Sequence, residues 1–285
     1  MGTSAILPWV FPVSAALTGV NTLSSLVVSS ASALLTQLQA FLVSTLAWTL
    51  LDTGVSGIAE NFVVRSSGVS GDRQICLKFG VSIADQVALS CFACVSFASA
   101  TDVASNATTN KFIHTYGISS IGFWATGNKD FLCLITDPAG TISNFIYAGL
   151  VHEFVSTVTQ TPNQVVMLEN NDWQGTLAGA GKMVESPTGT FNVETNVQTF
   201  GLPTTPTNIL TRSDPDVEAG VMYLWPMVVV ADGTDRLFGL LKNVLAVGQR
   251  VDMVHGTVVV TSAGSRYLVV AGQGNPGLAV WLGDQ

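Results

Sequence analysis

The sequence predicts a mainly β protein with an N-terminal helix, α+β overall, whose body is a β-sandwich or is barrel-like. Two observations support this prediction. From residue 58 onward, short apolar stretches alternate with turns that contain Gly, Asp or Ser, which is the spacing of strands in a sandwich or barrel. Between residues 30 and 50, apolar residues instead recur every three or four positions, as they do along a helix. A chain of 285 residues is long enough to bury a substantial core.

The N-terminal segment has no charged side chain before Asp52. A signal peptide would begin with positive charge, and Met1–Ser4 has none. A membrane-spanning helix needs about 20 mostly apolar residues, whereas polar residues interrupt this segment repeatedly. We therefore predict an amphipathic helix over roughly 30–50, with Ser29 or Ser30 as its N-cap and Gly54 as its stop. Its apolar face comprises Val27, Ala31, Leu34, Leu35, Leu38, Leu42 and Leu46.

Upstream of that helix, Ile6–Pro12 is apolar but contains two prolines, which exclude a continuous helix. We expect an extended apolar arm that docks either on its own domain or on a neighbouring subunit. The arm and the helix together form the first predicted segment, residues 1–57.

Residues 58–155 are predicted to form a β domain. Asp137–Gly140 has the composition of a tight turn, so that 131–147 should be a hairpin. A second turn is expected at 66–72, and residues 99–111 are expected to be a polar loop. The predicted strands are 62–65, 74–81, 86–97, 120–125, 131–136 and 145–155.

The remainder of the chain divides into two segments. Residues 156–220 are rich in Thr, Asn, Gly and Pro, and we predict a loop-rich excursion or linker with weak strands at best. Residues 221–285 should contain C-terminal strands that complete the body or form a second small β domain, with a turn at Ala263–Ser265. These strands are predicted at 221–231, 238–247, 257–261, 266–270 and 277–282.

Composition bears directly on partners. Charged residues make up 11% of the chain, against roughly 25% in typical soluble proteins, so partner subunits are expected to cover much of the surface. The net charge is −8 and the eleven basic residues are scattered singly. A nucleic-acid surface needs clustered Lys and Arg, so no nucleic-acid partner is predicted, and no membrane partner either.

The four cysteines, Cys76, Cys91, Cys94 and Cys133, all lie in apolar stretches, which favours buried thiols. Cys91 and Cys94 have the C-x-x-C spacing, but no second such pair or His pair completes a zinc site, and no helix start follows. The pattern fits synthesis in a reducing cytoplasm. We therefore predict no metal and no cofactor.

Known catalytic motifs are incomplete in this chain. A P-loop at Gly181–Lys182 would need Gly at Thr176 and a hydroxyl at Met183. Asn128–Asp130 lacks the spacer of a GTPase motif. The three histidines are far apart in sequence, and His152–Glu153 would point to opposite faces of a strand. The sequence therefore predicts no catalytic residues and no enzyme.

Three further patterns leave alternatives open. Asp214, Asp216 and Glu218 form a solvated acidic loop or a cation site. Asp232–Gly233 resembles a strand-end carboxylate of phosphatases, but Asp-Gly between apolar runs is foremost a hairpin signal. Asn106–Thr108 is a glycosylation sequon, which matters only in a secreted eukaryotic protein.

Three groups of residues also carry a resemblance to a known class of proteins. They are Trp48 with Asn61–Gly68 and Gly71–Asp72; Phe123–Trp124 and Asn128–Phe131 with Tyr147–Leu150; and Arg266–Val270 with Gly277–Val280. In these segments the chain resembles virion proteins of tailed bacteriophages that are encoded near tail genes. The resemblance implies an apolar helical start, a β body and a closing hairpin. It also implies a structural position in the neck, tail or baseplate, with other virion proteins and copies of itself as partners, after synthesis in the bacterial cytoplasm.

Three rival functions remain open. A secreted or surface β-sandwich for binding or adhesion would need a signal peptide and an aromatic platform, for which Trp124, Trp173, Trp225 and Trp281 are available. An enzyme would need a concave pocket lined by titratable groups. A membrane-active protein would use residues 5–51.

Overall fold

The computed structural model describes most of the β body and the N-terminal helix. The described ranges are 21–28, 31–56, 59–71, 75–82, 88–94, 111–114, 121–136, 145–153, 165–170, 181–185, 192–200, 224–231, 236–247, 258–261, 263–270 and 277–284. Within them the chain forms one α-helix, α1 (Ala31–Ala40), followed by a π-helical turn (Phe41–Thr45), which we call the π-turn.

The strands of the described ranges follow one another along the chain. They are β1 (Asn21–Val28), β2 (Thr49–Ser56), β3 (Ala59–Ser66), β4 (Ile75–Ser82), β5 (Ala88–Cys94), β6 (Lys111–His114), β7 (Ile121–Gly127), β8 (Phe131–Thr136), β9 (Phe145–Glu153), β10 (Val165–Asn170), β11 (Gly181–Glu185), β12 (Asn192–Phe200), β13 (Leu224–Ala231), β14 (Arg236–Val247), β15 (Val258–Val260), β16 (Ser265–Val270) and β17 (Gly277–Asp284).

Two sheets contain all of these strands, and the predicted fold class, mainly β with an N-terminal helix, is confirmed. The small sheet has the order β2-β3-β4-β5-β6 and the large sheet the order β1-β7-β8-β9-β10-β11-β12-β13-β14-β17-β16-β15. Neighbouring strands are antiparallel, and the architecture includes a curled half-barrel. The C-terminal strands β13 to β17 belong to the same sheet as β7 to β9.

One edge of β14 changes its partner strand along its length, and this bends the large sheet. Its Gly239–Leu241 part pairs with the end of β9, whereas Val244–Val247 pairs with β17. Between these parts Asn243 has φ 60°, a left-handed conformation that is unusual for a residue other than Gly. Because such a residue interrupts the regular strand geometry, Asn243 marks the kink at which β14 passes from one partner to the next.

The apolar face predicted for the helix is confirmed at five positions. These buried residues are Leu34, Leu35, Leu38, Leu42 and Leu46. They pack in one cluster with the small sheet and with one face of β7, β8 and β9. Thr36 and Ser44, on the polar side, are exposed.

The predicted bounds of the helix are wrong. The π-turn widens the last turn, with Leu46 N–H donating to Phe41 O (3.0 Å) and Trp48 N–H to Leu42 O (2.9 Å). The chain then enters β2, so Gly54, the predicted stop, lies inside a strand, while Val27 lies in β1 opposite Gly122 of β7. Pairing with β3 and β7 outweighs the helical period at both ends, and the proposed caps at 29–30 lie outside the described residues.

The middle of the molecule is the pair β8 and β9, which is buried on both faces. Leu132, Leu134 and Ile146 face the cluster that contains α1. Phe131, Cys133 and Tyr147 point the other way and are also buried. Strands covered on both sides have nearly continuous apolar sequences, which explains why the sequence predicts the strands at 131–136 and 145–155.

Other strands differ from the sequence-based expectation. The excursion predicted at 156–220 supplies β10, β11 and β12, which continue the large sheet between β9 and β13. β6 begins at Lys111, where the expected polar loop ends. Local β signals are weak in such segments, and pairing with neighbours that are already in place decides their conformation.

Two of the predicted turns are present. Gly68 and Gly71 have φ of 73° and 86° in the turn after β3, and Gly264 has φ of 89° between β15 and β16. The Gly264 turn is closed by Thr261 N–H donating to Ser265 O (2.9 Å). The turns predicted at Asp137–Gly140 and Asp232–Gly233 lie outside the described residues, but β8–β9 and β13–β14, the pairs they would join, are antiparallel neighbours.

Replacing Ala47 by Gly should stabilise the protein. Ala47 is exposed and has φ 56°, a conformation that is costly for a residue with a Cβ and free of strain for Gly. We expect the free energy of unfolding to rise by about 0.5–1 kcal/mol, measured by urea denaturation. Ala40 is the matched control, because it is also exposed but has helical angles (φ −59°). Ala40→Gly should destabilise by about the same amount, and destabilisation by both changes would contradict the prediction.

Candidate functional site

A short connection, Asn128–Asp130, joins β7 to β8 and forms the polar centre of the described structure. Asn128 N–H donates to Phe131 O (3.0 Å), which closes the hairpin. The Asn128 side-chain Oδ1 accepts from Asp130 N–H (2.7 Å), which is an Asx turn. The buried Asn128 side chain holds the turn in shape through this bond. The backbone carbonyl groups of the turn and the Asp130 carboxylate are then available to neighbouring elements.

The small sheet docks on this turn through three hydrogen bonds. Trp48 Nε1–H donates to Asn128 O at 2.9 Å, and this bond is buried. Ser66 Oγ–H donates to Lys129 O (2.6 Å), while the same oxygen accepts from Gly68 N–H (3.2 Å). Val69 N–H donates to Asp130 Oδ1 (2.7 Å). Residues at one end of the β2–β3 pair, where Thr49 is opposite Arg65, are therefore tied to one turn of the large sheet.

The large sheet contacts the same turn from its other side. Lys242 Nζ of β14 lies 2.7 Å from Asp130 Oδ2, and each of the two side chains is only about one-sixth exposed, at 16% and 15%. Leu150 N–H of β9 donates to Asp130 O (2.8 Å). We call the set Trp48, Ser66, Asn128, Lys129, Asp130, Tyr147, Leu150 and Lys242 the junction.

Tyr147 connects β9 to β14 beneath the ion pair. Its hydroxyl donates to Leu150 O (2.6 Å) and accepts from Lys242 N–H (3.3 Å). Burial raises the pKa of this hydroxyl well above its usual value; Cys133 adds to the rise, the Lys242 N–H opposes it, and Asp130 adds further. The ring stacks on Phe131, with centroids 5.9 Å apart.

Gly149 makes the close packing beside Tyr147 possible. It lies opposite Phe131 in the β8–β9 ladder. A Cβ at Gly149 would come within 2.5 Å of Phe131 Cα, so any larger residue would separate the two strands. The aromatic ring of Phe131 therefore covers a position that has no side chain of its own.

The contacts of the junction are hydrogen bonds and one ion pair that join the two sheets. Its donors and acceptors are matched to one another, and the acceptors include backbone carbonyls, which hold position but do not transfer protons at neutral pH. Charge-assisted bonds from Val69 and Lys242 satisfy both oxygens of Asp130. Among the described residues, no group of three or more His, Cys, Asp or Glu side chains is placed to hold a metal ion.

Cys76, Cys91 and Cys133 are buried, as predicted for the thiols. Burial raises the pKa values of Cys91 and Cys133 well above the usual thiol value, which keeps them protonated and unreactive near neutral pH. The side chain of Cys94 lies outside the described part of the chain. The backbone of Cys94 ends β5, directly opposite Cys76 on β4.

The remaining candidates from the sequence are dispersed. Gly181–Lys182 lies in strand β11, where a P-loop would need a loop that leads into a helix. His152 and Glu153 pair with Leu240 and Gly239 at the end of β9. His114 ends β6. Asp214, Asp216, Glu218, His255, the sequon at 106–108 and the Asp232–Asp235 segment lie outside the described residues.

Apart from the junction, the described surface has exposed apolar residues at the sheet edges. β2 pairs with β3 and forms one edge of the small sheet, and β15 pairs with β16 at one edge of the large sheet. Val55 of β2 is 63% exposed and Val260 of β15 is 52% exposed. Among the residues whose side chains are described, the other exposed large apolar ones are Leu50, Leu51, Val69 and Val258. Exposed apolar edge strands are unusual in monomers, because they offer unpaired backbone groups to other chains.

In comparisons with known proteins, no family model matches the chain, and no curated protein matches it. In the described part of the chain, no helix has both the length and the apolar character needed to cross a membrane.

The sequence analysis named most residues of the junction but not Lys242, and it did not predict which residues contact one another. Trp48, Asn128–Asp130 and Tyr147–Leu150 belong to the segments that carry the virion-protein resemblance, and the structure brings them together. Lys242 was missed, although a single charge within the apolar run Leu240–Val247 is a signal, because a lysine there needs a partner. Nothing in the sequence identifies Asp130 as that partner, since the two are 112 positions apart.

Removing the Asp130 carboxylate should weaken the contact between the sheets. Asp130→Ala leaves Val69 N–H and the Lys242 ammonium without acceptors, and we expect a loss of about 2–4 kcal/mol of unfolding free energy. In a double-mutant cycle with Lys242→Met, the coupling energy should be about 1–3 kcal/mol. The measurement is urea denaturation of the four proteins. Lys129→Ala is the control: its side chain is exposed and only its carbonyl takes part, so a change within about 0.5 kcal/mol is expected. A coupling energy near zero would contradict this role for the ion pair.

Stability should fall in strongly alkaline solution, partly because of Tyr147. Its folded pKa is raised above the unfolded value of about 10, so the stabilising difference is intact below pH 10 and is lost as pH rises towards the folded value. Tyr147→Phe should lower stability by about 1–2 kcal/mol at pH 7, through loss of the Leu150 bond. It should also make the fall above pH 10 shallower, by up to about 1.4 kcal/mol per pH unit. Urea midpoints measured from pH 7 to 11 test this, and equal alkaline slopes for the two proteins would refute it.

Proposed function

We propose that this protein is a structural subunit of a tailed-phage virion, in the neck, tail or baseplate, that makes subunit–subunit contacts without catalysis. The observation that carries the proposal is the exposed apolar edge strand β2. The resemblance of the sequence to tailed-phage virion proteins specifies the kind of assembly. The partners are other virion proteins and copies of the same chain, and synthesis takes place in the bacterial cytoplasm.

The edge of β2 has limited protection against pairing with another strand. Natural edge strands are usually blocked by charged side chains, by Pro, by a β-bulge or by a covering element, and of these β2 has one charge, Asp52, and one register shift. β2 contains neither Lys nor Pro. Its described side chains are exposed or half-buried from Thr49 to Val55, and a register shift between Leu50 and Asp52 accompanies the exposed Leu51. The Asp52 carboxylate accepts from Thr53 N–H (2.9 Å), which occupies one backbone donor of the strand.

The charge distribution favours an uncharged partner strand. Asp52 is the single charged residue of β2, and residues 1–51 contain none. Two β2 strands that paired about a twofold axis would bring their Asp52 carboxylates near each other, which is unfavourable. An apolar strand from another subunit carries no such penalty, and the N-terminal arm Ile6–Pro12 has this character. Addition of such a strand to an open edge is a common mode of assembly.

The adhesion alternative is less well supported. Its aromatic platform would draw on four tryptophans, and Trp281 is buried at 4% exposure. Trp48, the other tryptophan whose side chain is described, is also buried, and its indole N–H is used within the junction. A carbohydrate platform requires exposed rings, so these two residues do not contribute to one.

The test compares the masses of four proteins in solution by light scattering. The wild-type chain should form a defined multimer. Leu51→Lys with Val55→Lys places two charges on the β2 edge and should weaken assembly at least tenfold in dissociation constant, or about 1.4 kcal/mol. Thr36→Lys with Ser44→Lys adds the same charge at exposed helical positions and should leave the mass unchanged. A chain that begins at Asn21 lacks the arm but keeps α1, whose leucines are part of the core, and should be monomeric.

Two outcomes count against the proposal. A wild-type chain that stays monomeric at high concentration would refute assembly through its own copies. A multimer that the edge variant leaves intact would refute the role of β2. To test the virion itself, phage particles from the cells that encode the chain are purified by density gradient and digested. Peptides of this chain should be present at a constant ratio to capsid protein, and their absence would refute a virion location.

A further inference from the structure

The register of the small sheet places Cys76 and Cys94 directly opposite each other on β4 and β5. Residues directly opposite in an antiparallel pair point to the same face of the sheet. Cys91 and Cys94 share only the C-x-x-C spacing. These two positions are three apart on one strand, so they belong to opposite faces of the sheet, which excludes a bridge within β5.

The two faces of the small sheet can be told apart by their neighbours. Ile75, Leu77 and Cys91 belong to the buried cluster around α1. Cys76 alternates with Ile75 and Leu77 along β4 and lies on the other face, although it too is buried. On β3 the residue opposite Cys76 is Arg65, so a row across three strands runs Arg65, Cys76, Cys94. Cys91 is opposite Phe79 and has no thiol across from it.

We propose that Cys76 and Cys94 form a disulfide across β4 and β5 when the protein meets an oxidising environment. Directly opposite residues have Cα atoms about 4.5 or 5.5 Å apart, depending on the type of pair. Both distances lie within the range of about 4.4–6.8 Å that disulfides need, so the register meets the Cα condition for a bridge. The inference does not depend on the proposed function.

The position of the pair gives an oxidant a route of access. Cys76 is the second residue of β4 and Cys94 is the last residue of β5, so both lie at one end of the hairpin. Strand ends open more often than strand centres, which exposes these thiols transiently without unfolding the protein. Cys133 lies in the middle of β8, and Cys91 lies three residues inside β5 and faces the core.

The chemistry needs a disulfide oxidant, such as oxidised glutathione. One thiolate attacks the oxidant and forms a mixed disulfide, releasing one reduced glutathione. The second thiolate displaces the other glutathione, so the protein loses two hydrogen atoms and the oxidant gains them. In a reducing cytoplasm the pair stays as two thiols, and outside the cell it becomes a covalent link that encloses residues 77–93.

The experiment exposes the native full-length protein to oxidised glutathione and then blocks the remaining thiols with a maleimide. Intact mass and a non-reducing peptide map identify the product. We expect loss of two hydrogen atoms and a linked peptide that joins Cys76 to Cys94. Cys91→Ala, on the same strand, should oxidise as the wild type does, whereas Cys94→Ala should form no internal disulfide.

The link should also be visible in stability. Closing a loop of this length should lower the unfolding equilibrium constant roughly a hundredfold in the oxidised wild type and in oxidised Cys91→Ala, with no such change in Cys94→Ala. Three results would overturn the proposal: a link between Cys91 and Cys94, stable glutathione adducts without a link, or a link that forms only in denaturant. If Cys94→Ala fails to fold, the peptide map of the wild type still decides.

Discussion

The carboxylate of Asp130 is the contact on which the arrangement of the two sheets depends. Its Oδ1 accepts from Val69 N–H, at the end of the small sheet, and its Oδ2 holds the Lys242 ammonium of β14. Its backbone oxygen accepts from Leu150 of β9. Taking a charged pair out of water is costly, and this cost is offset because each oxygen has a close donor. One residue therefore sets the position of three elements that are distant in sequence.

The junction can fix the positions of the two sheets because it is attached to β8 and β9, which are buried on both faces. One face packs against α1 and the small sheet, and the other is also buried, with Tyr147 and Phe131 stacked on it. Burial on both faces leaves the edges of the sheets, not their centres, as the accessible backbone. The exposed side chains of β2 and β15 lie at such edges, so the architecture that buries the interior strands leaves these edge strands accessible.

Most of the β body could be predicted from the sequence, for an identifiable reason. β8, β9, β16 and β17 are apolar runs bounded by turn residues, and the leucine stripe of α1 has the helical period. β1, β2 and β10 to β12 were missed because their sequences lack a strong β pattern, and partners already in place determine them. The helix ended early for the same reason, since the pairing of Thr49 with Arg65 outweighs helix continuation.

The amino-acid sequence by itself determined which segments are apolar and with what period, and therefore the class of fold, the buried thiols and the scarcity of charge. Only the tertiary structure decided which of these segments meet. Trp48 and Asn128 are 80 positions apart and Asp130 and Lys242 are 112 apart, and no local pattern encodes such pairs. The cysteines show the difference most clearly: the sequence predicts buried thiols and no pair among them, whereas strand register places Cys76 opposite Cys94. Register depends on the packing of both strands together, and for that reason it cannot be derived from either strand alone.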